Sequence, residues 1–342
     1  MESQASGRDD SAGMTVGVVQ LPFTATRMAD ADEEVFLLYT GLAAQTNANE
    51  HAHFRGLGHV DSHEDVLTVS FAISKPMEED FSQSAPSSAR RRGRPSQRPS
   101  RKKNGKHEED TFDVEIAQDK TALRSRKGDT GSVLWHASVD LAQALLWDLH
   151  QKNPTRPFLN RDHLSAACVV ELGAGTGMLG VVLSPFVKQY IATDIAALVP
   201  LIRKNLTRNR QRPAVPSSSN SKHSPLPPVN STAETLDWLD VHNALPSFRP
   251  NLVPSNPADL VLVVDCIYHP SLLPALLTTI NHLAIPGKTT VMVVVELRAE
   301  DVVREFLQGW LDMSLQESWE IWSVGDLMKG PYAVWVGQKV NV

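Results

Sequence analysis

Short apolar runs alternate along this chain with segments of helical periodicity. Cys168–Leu172, 189–193, 258–264 and 289–295 are almost continuously apolar and rich in β-branched residues. Such runs predict strands buried on both faces, as in a parallel sheet. Residues 137–149 carry Val139, Leu141, Ala142, Leu145, Leu146 and Leu149 on one helical face. Further helices are predicted over 178–187, 196–208, 272–283 and 301–311. A strand is predicted over 231–238, ending in Leu236-Asp237-Trp238, and a closing hairpin from 315–323 and 332–336. Strands and helices alternate and two strands then follow together. That order predicts an α/β fold, a doubly wound Rossmann-like sheet with an antiparallel last strand.

The first third is less regular. Val16, Val18, Val19 and Leu21 predict a strand over 14–23, 35–42 fits a short strand or a helix, and 66–73 predicts another strand. These pieces form a small β-rich N-terminal extension over 14–78, preceded by a polar tail at 1–13 expected to be disordered. Ser, Pro and Arg dominate 79–110, which reads as a disordered basic insertion. A strand at 112–117 resumes the fold, so the main domain is 111–342, with a second Pro- and Ser-rich insertion at 209–230.

Composition narrows the class. With 342 residues and 42% hydrophobic content the chain can bury a full core in one or two domains. A net charge of −6 does not describe a nucleic-acid binder as a whole. The two cysteines, Cys168 and Cys266, fall in or at the ends of expected buried strands. A reduced, intracellular protein follows, without a disulfide framework or a cysteine-based zinc site. The first residues lack an apolar signal core, and no apolar run is long enough for a membrane span. Arg90, Arg91, Arg92, Arg94, Arg98, Arg101, Lys102, Lys103 and Lys106 crowd the basic insertion. They fit a nuclear localisation signal, a weak electrostatic contact with RNA, or, at Arg92-Gly93-Arg94-Pro95, a minor-groove hook. A solvated loop that tolerates insertion is the favoured reading.

The chemistry concentrates after the first main strand. Gly173, Gly175 and Gly177 follow Leu172 at alternate positions, where glycine permits a sharp turn and lets backbone approach a ligand. Asp194 ends the next strand roughly 20 residues on, where nucleotide-binding folds place a carboxylate for ribose hydroxyls. A dinucleotide fingerprint fails when counted from Gly173 and fits only in the shifted frame Gly175-x-Gly177-x-x-Gly180. Glu171 beside the loop would repel a pyrophosphate but favour a sulfonium and an ammonium. Trp135, ahead of the first long helix, suits one wall of a cofactor pocket or a core anchor. Asp237 and Trp238 suit an adenine amino group and ring, or an ordinary strand end. His269 reads as a helix-start residue rather than a base.

In order, Gly131-x-x-x-Trp135, Glu171-x-Gly173-x-Gly175-x-Gly177, Leu236-Asp237-Trp238 and Asp265-x-x-Tyr268 resemble the motifs of the seven-β-strand protein-lysine methyltransferases of family 16. The blocks from Gly128 to Trp135 and from Asp265 to Tyr268, with Glu296-Leu297-Arg298, look most like fungal members that methylate a large-subunit ribosomal protein. The resemblance implies a seven-stranded class I sheet, S-adenosylmethionine (SAM) as cofactor, a lysine acceptor on a ribosomal protein, and no metal. It implies that Gly173, Gly175 and Gly177 surround the methionine portion of SAM and that Glu171 lies beneath it and favours its charge. Asp194 then takes the ribose, Asp237 and Trp238 flank the adenine, and Trp135 closes the pocket. Asp265 and Tyr268 are the implied catalytic pair, at the mouth where lysine enters, with Asp265 also beside the cofactor. Glu296 and Arg298 form the substrate lip. Leu239 stands where many relatives have glycine. A monomer in the cytoplasm is expected, with the basic stretch leaving the nucleus open. The rivals are an NAD-dependent oxidoreductase through the shifted glycine frame, a small-molecule or nucleic-acid methyltransferase, and a nucleic-acid adaptor. Asp265-Cys-Ile-Tyr268 departs from the Asn/Asp-Pro-Pro-aromatic block typical of base methylation.

Overall fold

In the computed structural model, residues 14–48, 58–73, 111–120, 130–151, 157–210, 230–314 and 317–341 are described. The expected tail at 1–13, the basic insertion at 79–110 and residues 211–229 of the second insertion lie outside them. β6 (Cys168–Leu172), β9 (Leu260–Val264) and β10 (Thr290–Glu296) are buried at every residue, as near-continuous apolar runs require. With β7 (Gln189–Asp194) and β8 (Ser231–Thr235) they form the parallel part of one sheet. β12 (Tyr332–Lys339) runs antiparallel beside β10, and β11 (Trp319–Ser323) pairs with its far side. A two-residue strand, β3 (Thr26–Arg27), adds to β11, so the sheet has eight strands in the order β3-β11-β12-β10-β9-β6-β7-β8. The chain moves from β6 outward to β8 and then returns to β9 on the other side. The carboxyl ends of β6 and β9 therefore flank a topological switch point, where open α/β sheets hold ligands.

Two apolar clusters fill the two faces of the sheet. α2 (His136–His150), α4 (Met178–Leu183) and α5 (Val199–Asn209) cover one face. α7 (Leu273–Leu283) and α8 (Glu300–Ser314) cover the other, with Trp310 and Trp335 fully buried among them. Among the described residues, no helix is long and apolar enough to cross a membrane. Both cysteines are buried and free.

The N-terminal part differs most from expectation. The single strand expected over 14–23 is a hairpin of β1 (Thr15–Val16) and β2 (Val19–Gln20), turning at Gly17 with φ +55°. The segment that fits strand or helix is helical, and longer than expected: α1 (Ala31–Ala48). Asp30 accepts a hydrogen bond from Glu33 N at 2.9 Å in its first turn, and Glu34 accepts one from the buried Trp335 indole at 3.0 Å. The extension therefore combines short strands with an 18-residue helix and lends β3 to the main sheet.

β5 (Thr111–Ala117) does not enter the main sheet either. It pairs antiparallel with β4 (Val66–Ala72) as a separate ribbon. The free edge of β5 is closed by side chains rather than a strand. Asn205 and Asn209, one turn apart on α5, each exchange a donor and an acceptor with its backbone, at Ala117 and Glu115. Asn209 and Asn230 were expected inside the second insertion. Asn209 is instead the last residue of α5, and Asn230 donates to the carbonyls of Ser184 and Val187 at 2.6 and 2.9 Å. The helix expected over 178–187 ends at Leu183 and continues as a 3-10 turn, Ser184–Phe186, which holds a proline in its first turn.

Replacing Asn205 by leucine strips the buried backbone of Ala117 of two partners and Thr176 O of a third. At roughly 1–3 kcal/mol for a buried group left unsatisfied, Asn205→Leu destabilises the protein by about 2–4 kcal/mol. Urea unfolding checks this, and an unchanged midpoint would show that the β5 edge is not sealed by Asn205.

Candidate functional site

The loop after β6 is shaped by close backbone contacts. Gly173, Gly175 and Gly177 all have positive φ, at +67°, +57° and +74°. A Cβ on Gly173 would lie 2.6 Å from Cys266 Sγ and 3.2 Å from the Trp238 ring. A Cβ on Gly175 would lie 2.9 Å from the carbonyl oxygen of Gly131. The first motif and the glycine loop thus meet backbone to backbone. Asp194, at the end of β7, braces the contact: Gly175 N donates to Oδ2 at 2.8 Å and Ile195 N to Oδ1 at 2.7 Å.

Over this loop lies a cavity of about 600 Å³, within the usual range for a small-ligand site. It gathers Trp135, Gly173, Gly175, Asp194, Asp237, Trp238, Asp265 and Tyr268 from five separate stretches of sequence. Asp237 also caps the short helix α6 (Trp238–Asn243), its Oδ1 accepting from Leu239 N at 2.9 Å. Trp135 stands at the N-terminus of α2, its indole donating to Thr130 O at 2.9 Å. Tyr268 is 40% exposed at the mouth. His269 lies outside the lining and contacts Ser271 Oγ at 2.9 Å, ahead of the 3-10 turn that leads into α7.

Two expected site residues, Gly177 and Glu171, lie outside the lining of this cavity. Gly177 is outside the lining, and a Cβ there would lie 2.7 Å from Ile202 Cγ2. Its glycine serves the packing of α4 on α5. Glu171 also points away from the cavity, buried, and accepts from Tyr190 Oη at 2.9 Å. Burial, with the charge of Asp194 adding, pushes its carboxyl up to about 8 against the lowering effect of the Tyr190 hydrogen bond. Burial therefore favours the neutral acid over the charge expected of Glu171.

Other lining residues carry no sequence signal. His59, from the N-terminal extension, packs edge-on against Trp135 with ring centroids 6.0 Å apart. Thr130, Ser138 and Leu198 also reach the cavity. Cys266 lines it too, but burial first, and then nearby carboxylates, push its thiol well above the ordinary value, so it is no thiolate nucleophile.

The charge of the lining identifies what it can hold. It offers the carboxylates of Asp194, Asp237 and Asp265 and a single guanidinium, Arg298. That guanidinium is committed: Nη1 and Nη2 donate to the two oxygens of Asp265 at 2.9 and 2.8 Å, and Nη2 also to Glu296 at 2.6 Å. Burial acts to lower the Arg298 pKa, but the two carboxylates outweigh it and hold it above the ordinary value. Among the described lining residues a dinucleotide pyrophosphate would meet more carboxylates than cations, whereas SAM carries cationic groups that these carboxylates favour. The third glycine of the shifted dinucleotide frame, Gly180, packs α4 against Tyr190 and Leu206, as either cofactor's loop would require, so charge rather than this glycine separates the two. The residues present fit SAM: bare backbone at Gly173 and Gly175, the Asp194 carboxylate, and the Asp237–Trp238 pair.

Comparison with known proteins agrees. The lysine methyltransferase family model matches residues 116–310, more than half of the chain. Ribosomal lysine N-methyltransferase 5 of Candida glabrata is 25% identical, over 84% of this chain and 92% of its own length. Its namesake from Eremothecium gossypii is 29% identical, over 58% of this chain and 73% of that protein. A Schizosaccharomyces pombe protein named diaminohydroxyphosphoribosylamino-pyrimidine deaminase is 30% identical over 57% of this chain, which spans only 41% of that protein's length.

Two outcomes follow from this geometry. Asp194→Ala removes both the brace on Gly175 and a lining carboxylate, and weakens SAM binding at least about tenfold, or about 1.4 kcal/mol; calorimetry that returns the wild-type affinity refutes the assignment. For Glu171 the folded pKa, about 8, is raised above the ordinary value of 4.5. Its contribution is therefore fully present below the lower value and is lost as pH rises toward the upper one. Glu171→Gln, which mimics the neutral acid, leaves stability at pH 5 near wild type and raises it relative to wild type at pH 8. Denaturant titrations at the two pH values check the sign, and a wild-type advantage at pH 8 would show that the buried carboxylate is charged.

Proposed function

The chain belongs to the lysine methyltransferase family, and from that premise we propose that it methylates a lysine of a ribosomal protein, of the large subunit as its motifs imply. The relatives named as ribosomal lysine methyltransferases support this, one of them along nearly its whole length. The observation that carries the reading is a cavity at the switch point whose only guanidinium among the described lining residues, Arg298, is already paired. The reading includes a monomeric enzyme in the cytoplasm, with the nucleus left open, and weak contact of Arg90–Lys106 with ribosomal RNA stands second to a solvated loop.

SAM supplies an electrophilic methyl on sulfur, which an uncharged amine can take directly. Most of the rate then depends on how the chain holds donor and acceptor. Gly173 and Gly175 let backbone approach the donor, while Asp194 and the Asp237–Trp238 pair hold its nucleoside end. An ammonium has no lone pair, so the acceptor lysine must first lose its proton, which passes to bulk water as the side chain enters. Trp135, Leu239, Tyr268 and Leu272 give the cavity apolar and aromatic walls, which disfavour the charged amine and lower its pKa. Asp265 adds an acceptor for the amine N–H but little net attraction, because Arg298 neutralises it. It holds the amine in place rather than removing the proton.

Labelled SAM, incubated with the full-length protein and ribosomes from cells lacking it, should place the label on a methyl-lysine of a large-subunit protein. Label in RNA or in a small molecule would overturn the substrate class. Tyr268→Ala should lower kcat/KM about tenfold, or about 1.4 kcal/mol, with the SAM affinity retained. A loss confined to SAM binding would move Tyr268 from the lysine mouth to the cofactor.

A further inference from the structure

Asp265 has φ +57°, the left-handed region, and is the one non-glycine residue with positive φ among the described residues. Such a conformation costs about 1–3 kcal/mol and persists only when the surroundings over-determine it. Here they do. Asp265 N donates to Val294 O at 2.8 Å, Oδ1 accepts from Glu296 N at 3.3 Å, and the Arg298 guanidinium grips both carboxylate oxygens. Arg298 is itself fixed on three sides. Glu296 holds Nη2 from one, the Trp135 ring lies 5.1 Å from its central carbon on another, and Gly58 closes the third. Gly58 has φ +92°, and a Cβ there would overlap Arg298 Nη2 and lie 2.8 Å from Glu296 Oε2.

Gly58 is held in turn by the start of α2. Its carbonyl accepts from His136 N at 2.8 Å, and Val60 N donates to Leu134 O at 2.9 Å, so residues 58–60 pair with 134–136 as a short bridge around Trp135. Gly58 lies outside the 116–310 stretch that the family model matches, whereas Arg298 lies inside it.

We infer that Arg298 is a positioning residue for methyl transfer, presetting the Asp265 carboxylate at the lysine mouth, and that the N-terminal extension holds it in place through Gly58. A guanidinium is the group for this task. Its planar fork meets both carboxylate oxygens at once and stacks on an aromatic face, while an ammonium does neither as well. The inference rests on the lysine methyltransferase reading and adds to it a residue that acts through Asp265 and a structural role for the extension.

The test uses the full-length protein and the ribosomal acceptor. Arg298→Ala should lower kcat about 100-fold, the scale expected when a reacting group is misplaced by an ångström. The SAM dissociation constant should stay within about twofold of wild type. Millimolar guanidinium should restore part of the lost kcat, an effect that a packing defect would not show. Arg298→Lys, which keeps the charge but loses the fork, should remain well below wild type. Gly58→Ala should lower kcat in the same direction, and guanidinium should not rescue it, because Arg298 is still present. Wild-type kcat in Arg298→Ala overturns the inference. So does a loss of SAM affinity in step with kcat, or a failure of guanidinium to rescue. If the wild-type protein transfers no methyl to lysine, the substrate reading fails instead, and the two failures are distinct.

Discussion

The site depends on two chain segments meeting without side chains. Gly131 and Gly175 face each other so closely that a Cβ on the first would lie 3.4 Å from Gly175 Cα, and one on the second 2.9 Å from Gly131 O. Asp194 ties the contact to the end of β7. From that junction the remaining walls follow. Residues beyond Gly131 lead into Trp135 and α2, the loop beyond Gly175 leads into α4, and the carboxyl ends of β6 and β9 leave the floor open between them. A side chain at Gly175 would press on Gly131 O and separate the segments, whereas one at Gly131 would instead crowd Leu198 Cδ1 at 2.6 Å.

Charge then selects the occupant. Much of the negative charge around this cavity is spent inside the protein: Glu171 is buried in its neutral form, and Asp265 and Glu296 share Arg298. Asp194 and Asp237 also face the cavity, and Arg298 is the one guanidinium or ammonium among the described lining. That balance favours a cationic cofactor and a weakly attracted amine, which must arrive uncharged to react.

The main sheet was legible because its central strands are buried on both faces. That condition leaves near-continuous apolar runs at Cys168–Leu172 and Leu260–Val264, with little room for another reading. The glycines and Asp194 were legible as a pattern, though not which glycine serves which purpose: Gly177 answers to Ile202, which no local spacing reveals. Strands two residues long, such as β1 and β3, leave no periodicity to read, so the hairpin and the eighth strand were missed. His59 and Gly58 were invisible for a different reason. Their roles come from a bridge to Trp135 made only in the folded chain. The neutral state of Glu171 likewise depends on burial against Tyr190, which lies on the neighbouring strand.

The central claim is that this cavity takes SAM and not a dinucleotide. Isothermal titration of the full-length protein with each, side by side, tests it most directly. The charge of the described lining predicts saturable heat with SAM and none with NAD. Saturable binding of NAD without binding of SAM would contradict the account at its base.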